Sequence, residues 1–276
     1  MKRVGIIYHP LNKGALSLAQ KLAEFLDSSG VSCWLCSAWE GQQAKEQVDS
    51  TELVLTIGGD GTILRAAQAV VPYSIPITGI NLGKLGFLTE LTANEAMEKL
   101  PALLAGEGWI DERAMLEAEL ATDKETGTTQ TFIALNDIVV ARSEIARIIY
   151  VEASIDGELL TTYKADGVIV STATGSTGYS LAAGGPILHP QADEFILVPI
   201  LPHLSLNHTL VLPSETTVNL RVGTIHKAIL SVDGHISLPL AGDTTIMVKH
   251  SPIKTLFLRI QPKTSFYSTL GQKLKG

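Results

Sequence analysis

No run of lysine and arginine occurs anywhere in the 276 residues, and the net charge is -7. Nucleic acid and anionic membrane surfaces are held by clustered cationic side chains, so the charge pattern argues against both as partners. It leaves phosphate-bearing small molecules open, because backbone N–H groups at a helix start bind phosphate without cationic side chains. Long apolar runs are also missing: the first, Val4-Gly5-Ile6-Ile7-Tyr8, stops at His9-Pro10. That is too short for a secretory signal or a bilayer span, and a cytoplasmic protein is the expectation. Cysteine is scarce, with Cys33 and Cys36 alone in Ser-Cys-Trp-Leu-Cys-Ser. A single CxxC without a second Cys or His pair is a weak zinc signal, and a small buried thiol in a strand is the plainer reading. The seven histidines lack the paired spacing of a metal site, so no metal-ligand residue is assigned.

What is present is a well-buried globular composition, 45% hydrophobic and 18% charged, which needs no disulfide or metal to hold a core. The first hundred residues alternate strand and helix. Strands are expected at 3–8, 31–36, 52–57 and 75–80. Helices are expected at 15–26, at 62–71 closed by Pro72, and at 94–104 capped by Thr92. Strands separated by helices of this length imply a parallel sheet. After Gly106 the pattern changes to short strands with turn signals, among them 114–121, 131–141 beyond a polar loop 122–130, and 147–155 with 159–163 around Asp156-Gly157. More follow as far as 255–259. An all-β second domain is expected. The division is an α/β domain at 1–106, a β-rich domain at 107–263, and a segment 264–276 packing back on the first domain.

The strongest local signal is Gly58-Gly59-Asp60-Gly61-Thr62, after a strand and opening a helix, where open α/β sheets bind ligands. Glycines let ligand approach the backbone, and the helix start offers free N–H groups to phosphate oxygens. A carboxylate beside bound phosphate is costly unless it handles a hydroxyl proton or helps hold a metal ion. A tight turn with a helix-capping Asp explains the same spacing. No Lys-Ser/Thr follows, so this is not a Walker loop. The second signal crowds hydroxyls and glycine into Thr172-Ala173-Thr174-Gly175-Ser176-Thr177-Gly178-Tyr179. An ST-turn accounts for one of these hydroxyls well and for the whole set poorly. Asn136-Asp137 and Asp233-Gly234 alone read as turns.

Together with Asn81 to Leu88, Leu135-Asn136-Asp137, Ala165-Asp166-Gly167, Thr172 to Pro190 and Ser231-Val232-Asp233-Gly234, the order of motifs resembles the NAD kinases. The glycine turn alone is shared with diacylglycerol and sphingosine kinases, and it resembles one in phosphofructokinases. The resemblance implies a phosphofructokinase-like α/β N-terminal domain, an all-β NAD-binding domain, and transfer of the ATP γ-phosphoryl group to the 2′-hydroxyl of the adenosine ribose of NAD. It implies ATP with Mg²⁺ (or another divalent cation), with polyphosphate an open alternative donor. It makes Asp60 the base, with Gly59, Gly61 and Thr62 beside it and Phe87 near the adenosine. It puts Asn136 and Asp137 on the dinucleotide, and Lys164, Asp166, Thr174, Thr177 and Tyr179 around the base and nicotinamide sites. The family completes its site across a subunit interface, so a homodimer or homotetramer is implied. A lipid kinase using the same turn, or a dinucleotide sensor without chemistry, are the competing readings.

Overall fold

The computed structural model describes the chain except residues 72, 84–85, 122–128, 145–146, 205, 224–225 and 275–276. Pro72 as a helix stop, Lys84-Leu85 of the third motif and most of the polar loop lie outside the described residues. The chain divides into two units, Met1–Glu112 with Thr255–Gly276, and Arg113–Lys254.

The first unit opens with β1 (Arg3–Tyr8), α1 (Lys13–Ser28), β2 (Ser32–Ser37), α2 (Gly41–Gln47), β3 (Leu53–Ile57), α3 (Asp60–Val70), β4 (Ile77–Asn81), β5 (Leu91–Thr92), α4 (Ala93–Leu104) and β6 (Trp109–Arg113). Helix α1 starts where the Asn12 side chain accepts the Gly14 N–H at 2.9 Å, the usual way an Asn satisfies an orphan donor of the first turn. Its apolar stripe Ala15, Ala19, Leu22 and Leu26 is fully buried because the spacing keeps those residues on one face. At the start of α4, Glu95 reaches back to the Thr92 N–H at 2.8 Å and to its hydroxyl at 2.7 Å, one arm of a capping box.

The second unit holds β7 (Leu116–Ala121), β8 (Thr129–Ala134), β9 (Asp137–Arg142), β10 (Ile149–Ile155), β11 (Glu158–Ala165), β12 (Gly167–Thr172), a 3₁₀ turn at Gly175–Thr177, α5 (Tyr179–Ala182), β13 (Phe195–Ile200), β14 (Leu210–Leu212), β15 (Val218–Val222), β16 (Ala228–Val232), β17 (Ile236–Leu240) and β18 (Thr244–His250). Its strands form two six-stranded sheets, in orders β11-β10-β15-β18-β7-β8 and β14-β13-β12-β9-β16-β17. Alternate residues of both, such as Leu116, Ala118, Val151, Val168, Val170 and Leu230, share one core, the packing that period-two patterns produce. The single strand expected over 131–141 is in fact two. β8 ends in one sheet, and β9 begins in the other after Leu135-Asn136. The chain changes sheets again at Asp166, between β11 and β12.

The chain then returns to the first unit as β19 (Thr255–Arg259) and α6 (Ser265–Leu274). The first unit's sheet runs β2-β1-β3-β4-β19-β6 with β5 on β4, and its pairings from β2 through β19 are parallel. The division therefore falls at 112/113 and 254/255 rather than at 106/107 and 263/264, because β6 and β19 hydrogen-bond within this sheet. Among the described residues no helix is long and apolar enough to cross a membrane.

Beside Gly5 in β1 lies its register partner Trp34, which is buried and donates its indole N–H to Thr51 Oγ1 at 3.0 Å. A Cβ on Gly5 would sit 2.6 and 2.8 Å from Trp34 Cε2 and Cη2. Gly5→Ala is therefore expected to cost about 1–3 kcal/mol of stability by overpacking. Urea unfolding should show a lower midpoint with an unchanged slope.

Candidate active site

Strands β1 and β3 lie side by side, with β2 beyond one and β4 beyond the other. The chain leaves β1 toward α1 and β3 toward α3, so their carboxyl ends form the crevice where open α/β sheets take ligands. A cavity of about 520 Å³ lies there, lined by His9, Asn12, Gly58, Gly59, Asn81 and Gly83 among others. The glycines around it have different reasons. A Cβ on Gly58 would run into Thr62 Oγ1, whereas at Gly59 and Gly61 it would meet nothing within 4 Å. Neither of these two carries a positive φ, so no packing or strain within the chain demands glycine at either position.

Asp60 is the first residue of α3, so the helix starts two residues earlier than its pattern suggests. Its carboxylate accepts the Phe87 N–H at 2.9 Å on Oδ2 and the Leu88 N–H at 3.1 Å on Oδ1. Gly86 makes this approach possible, since a Cβ there would collide with the carboxylate. An ionised carboxylate has about four acceptor sites; these two bonds leave capacity for a hydroxyl. The Phe87 ring carries the Lys273 ammonium 5.0 Å from its centre, so α6 reaches the same segment.

In the second unit the sheet changes at Asn136 and at Asp166 lie at opposite ends of β12. At one end Asn136 and Asp137 open β9, and a cavity of about 440 Å³ is lined by them with Tyr179, Ile229, Ser231 and Asp233. Asp233 sits at φ 50° and accepts the N–H groups of Leu135, Asn136 and Asp137 at 3.0, 2.7 and 3.2 Å. Its own N–H returns to the Asp137 carbonyl at 3.0 Å. Burial, then the neighbouring Asp233 charge, pushes the Asp137 carboxyl up to about 7. Asn136 Oδ1 is buried with no hydrogen-bond partner among the described residues, an acceptor that a ligand donor would satisfy.

The hydroxyl-rich turn is more self-contained than expected. Thr172 Oγ1 donates to the Leu135 carbonyl at 2.6 Å and accepts the Gly175 N–H at 3.0 Å. Ser176 Oγ bridges the Ala173 carbonyl and the Leu188 N–H, and Thr177 Oγ1 donates to the Thr174 carbonyl at 3.2 Å. Thr174 Oγ1 receives Arg113 Nη1 at 3.3 Å. Turn closure thus explains most of the set, and these bonds set the loop against Asn136.

At the other end of β12, Asp166 pairs with Arg142 at 2.7 Å, and Lys164 lies across from Tyr150. Ser171 pairs with Asp137 in register, so Asp166 stands roughly 17 Å along the strand from it at about 3.3 Å per residue. The structure therefore gathers Asn136, Asp137, Thr174, Thr177 and Tyr179 at one end, and Lys164 with Asp166 at the other. Gly59, Asp60, Gly61, Thr62 and Phe87 gather in the first unit. The residue that sequence reasoning left out of the site is Asp233, whose Asp-Gly reads as a hairpin turn; its partners lie almost a hundred positions away.

Residues 32–108 match the ATP-NAD kinase N-terminal domain and residues 135–260 the ATP-NAD kinase C-terminal domain. This chain belongs to the NAD kinase family. It is 51% identical over 275 residues to an NAD kinase of Dehalococcoides mccartyi, covering 100% of this chain and 96% of that protein. It is 38% identical to one of Chloroflexus aurantiacus, with 100% and 99% covered. In fold it is similar to a yeast NADH kinase solved with NADH, at TM-score 0.83, 25% identity and 100% and 88% coverage. It is also similar to an NAD kinase of Archaeoglobus fulgidus solved with ATP, at TM-score 0.78, 25% identity and 98% coverage of each chain. An NAD kinase is a phosphotransferase, and nothing in these similarities supports the lipid-kinase alternative.

The Asp137 carboxyl gives this NAD kinase a pH signature. An unfolded Asp titrates at about 3.9, and the folded group is raised to about 7. The stability it contributes is full below pH about 4 and is lost as pH rises through about 7. Asp137→Asn should remove that slope, leaving the variant about 2–4 kcal/mol more stable relative to wild type at pH 8 than at pH 4. Denaturant titrations at both pH values check it.

Proposed function

We propose that Asp60 is the general base that accepts the proton of the ribose 2′-hydroxyl of NAD as the γ-phosphoryl group of ATP is transferred. The observation that carries this reading is the carboxylate at the first position of α3. It is held by two backbone N–H groups, keeps acceptor capacity to spare, and stands beside glycines whose side-chain space is open. An aliphatic hydroxyl is a poor nucleophile, and a fixed carboxylate within reach lowers the barrier by taking its proton late in the reaction. The triphosphate lies in the β1–β3 crevice, where the N–H groups of Gly59 and Gly61 at the start of α3 face phosphate oxygens, while the Thr62 N–H closes the turn on the Gly59 carbonyl at 2.9 Å. Phosphoryl transfer is then mostly positioning and charge neutralisation.

Among the described residues no group of three or more His, Cys, Asp or Glu is gathered for a metal ion. A Mg²⁺ arriving on the triphosphate would be held by its phosphates and one or two carboxylates. When bound, the cation supplies neutralisation of phosphate charge.

Asn136, with its unpaired Oδ1, and Asp137 hold the dinucleotide in the second unit's cavity, with Tyr179 at its wall. Lys164 and Asp166, at the far end of β12, serve the cavity of a second copy of the chain. That arrangement makes the working enzyme a homo-oligomer, and the protein acts in the cytoplasm.

Asp60→Asn keeps size and polarity but removes the base, and should lower kcat about 10²- to 10⁴-fold with NAD binding retained. NADP formation coupled to an NADP-dependent dehydrogenase reads it; near-normal turnover would exclude Asp60 as the base. Mixing inactive Asp60→Asn with inactive Asp166→Asn should restore part of the activity when subunits exchange. No recovery after demonstrated exchange would place Asp166 outside a shared site.

A further inference from the structure

A buried ionic group lies directly behind the segment that holds Asp60, all of it within the first unit. Arg259, at the end of β19, is 5% exposed. Its Nε donates to Asp111 Oδ2 at 3.2 Å, and its Nη1 donates to the Leu88 carbonyl at 2.7 Å and Glu90 Oε2 at 3.2 Å. Glu90 and Asp111 are 6% and 1% exposed. The other oxygen of Glu90 accepts the Ile260 N–H at 2.7 Å and that of Gln261. The guanidinium also stands 4.6 Å over the Phe257 ring.

Leu88 is the shared residue. Its N–H holds the Asp60 carboxylate and its carbonyl is held by Arg259. Two further bonds fix the segment, Gly86 N–H to Thr89 Oγ1 at 2.7 Å and Glu90 N–H to the Gly79 carbonyl at 2.8 Å. We propose that Arg259 is a positioning residue for phosphoryl transfer: through Leu88 it sets where the Asp60 carboxylate stands, although it touches neither substrate. The inference rests on the reading of Asp60 as the base.

The task needs arginine. One planar fork addresses a carboxylate from Nε and a carbonyl with a second carboxylate from Nη1, whereas a lysine ammonium is a single point that cannot span them. A buried charge group of this kind is poor evidence for stability on its own, and fixing a unique geometry is one reason to keep it. Small misplacements of reacting groups are costly in rate.

The test compares Arg259→Lys with wild type in the NADP-forming assay on the full chain. We expect kcat to fall about tenfold or more while the KM values for NAD and ATP stay within about twofold, since an interaction acting at the reacting group lowers kcat without removing ground-state binding. In an Asp60→Asn background the same change should cost less than about twofold further, because both act through one group. Glu90→Gln, which keeps the Ile260 contact but loses its charge toward Arg259, should move kcat in the same direction. It carries the test if Arg259→Lys is not recovered folded. Equal kcat in the folded variant, a loss confined to KM, or an additive loss in the Asp60→Asn background would overturn the proposal. So would failure of both variants to fold, which would make the group purely structural. Full activity of Asp60→Asn alone would instead bring down the base, a separately readable failure.

Discussion

The Asp60 carboxylate receives two amide N–H groups, from Phe87 and Leu88, across a gap that exists only because Gly86 has no side chain. Much of the first unit converges on that contact. β3 feeds the helix whose first residue is the acid. β4 and the segment 86–90 deliver the amides, and the Arg259 group fixes that segment from behind. Hydrogen bonds to a charged acceptor are worth about 1.5–3 kcal/mol each, enough to hold one rotamer without exhausting the acceptor sites. The two N–H bonds fix where that carboxylate stands. At Gly59 and Gly61, on either side of Asp60 in sequence, a Cβ would meet nothing within 4 Å among the described residues.

The second unit works by a related economy of acids. Asp233 spends its carboxylate on three backbone N–H groups and so shapes the Leu135–Asp137 bend between the two sheets. Burial, then the Asp233 charge, pushes the Asp137 carboxyl up to about 7, so that both protonation states occur near neutrality. A protonated carboxyl can donate as well as accept a hydrogen bond. The neighbouring turn is tied by the Thr172 and Ser176 hydroxyls, Tyr179 lines the cavity beside it, and Asn136 Oδ1 is buried with no hydrogen-bond partner among the described residues.

Local features were legible in the sequence: the strand–helix alternation, the Thr92 cap, the Asp156-Gly157 hairpin and the glycine turn all announce themselves through period, caps and turn chemistry. Non-local ones were not. The tie between Arg259 and Glu90 spans 169 positions and that between Leu135 and Asp233 spans 98, and no window of sequence carries either. The same blindness assigned β19 to the wrong side of the division, since a lone strand pattern does not say which sheet it joins. The break at Asn136 inside an apolar run was hidden because both strands are apolar and only the sheet changes. Motif order, compared with a known family, pointed to the family; composition and period alone left the Asn136-Asp137 and Asp233-Gly234 pairs as turns.

A crystal structure of the protein with NAD and a non-hydrolysable ATP analogue tests the central claim most directly. The account predicts an Asp60 carboxylate oxygen about 2.6–3.2 Å from the ribose 2′-oxygen, with the Phe87 and Leu88 N–H bonds still in place. A 2′-hydroxyl bonded to some other group, with the Asp60 carboxylate out of its reach, would contradict it.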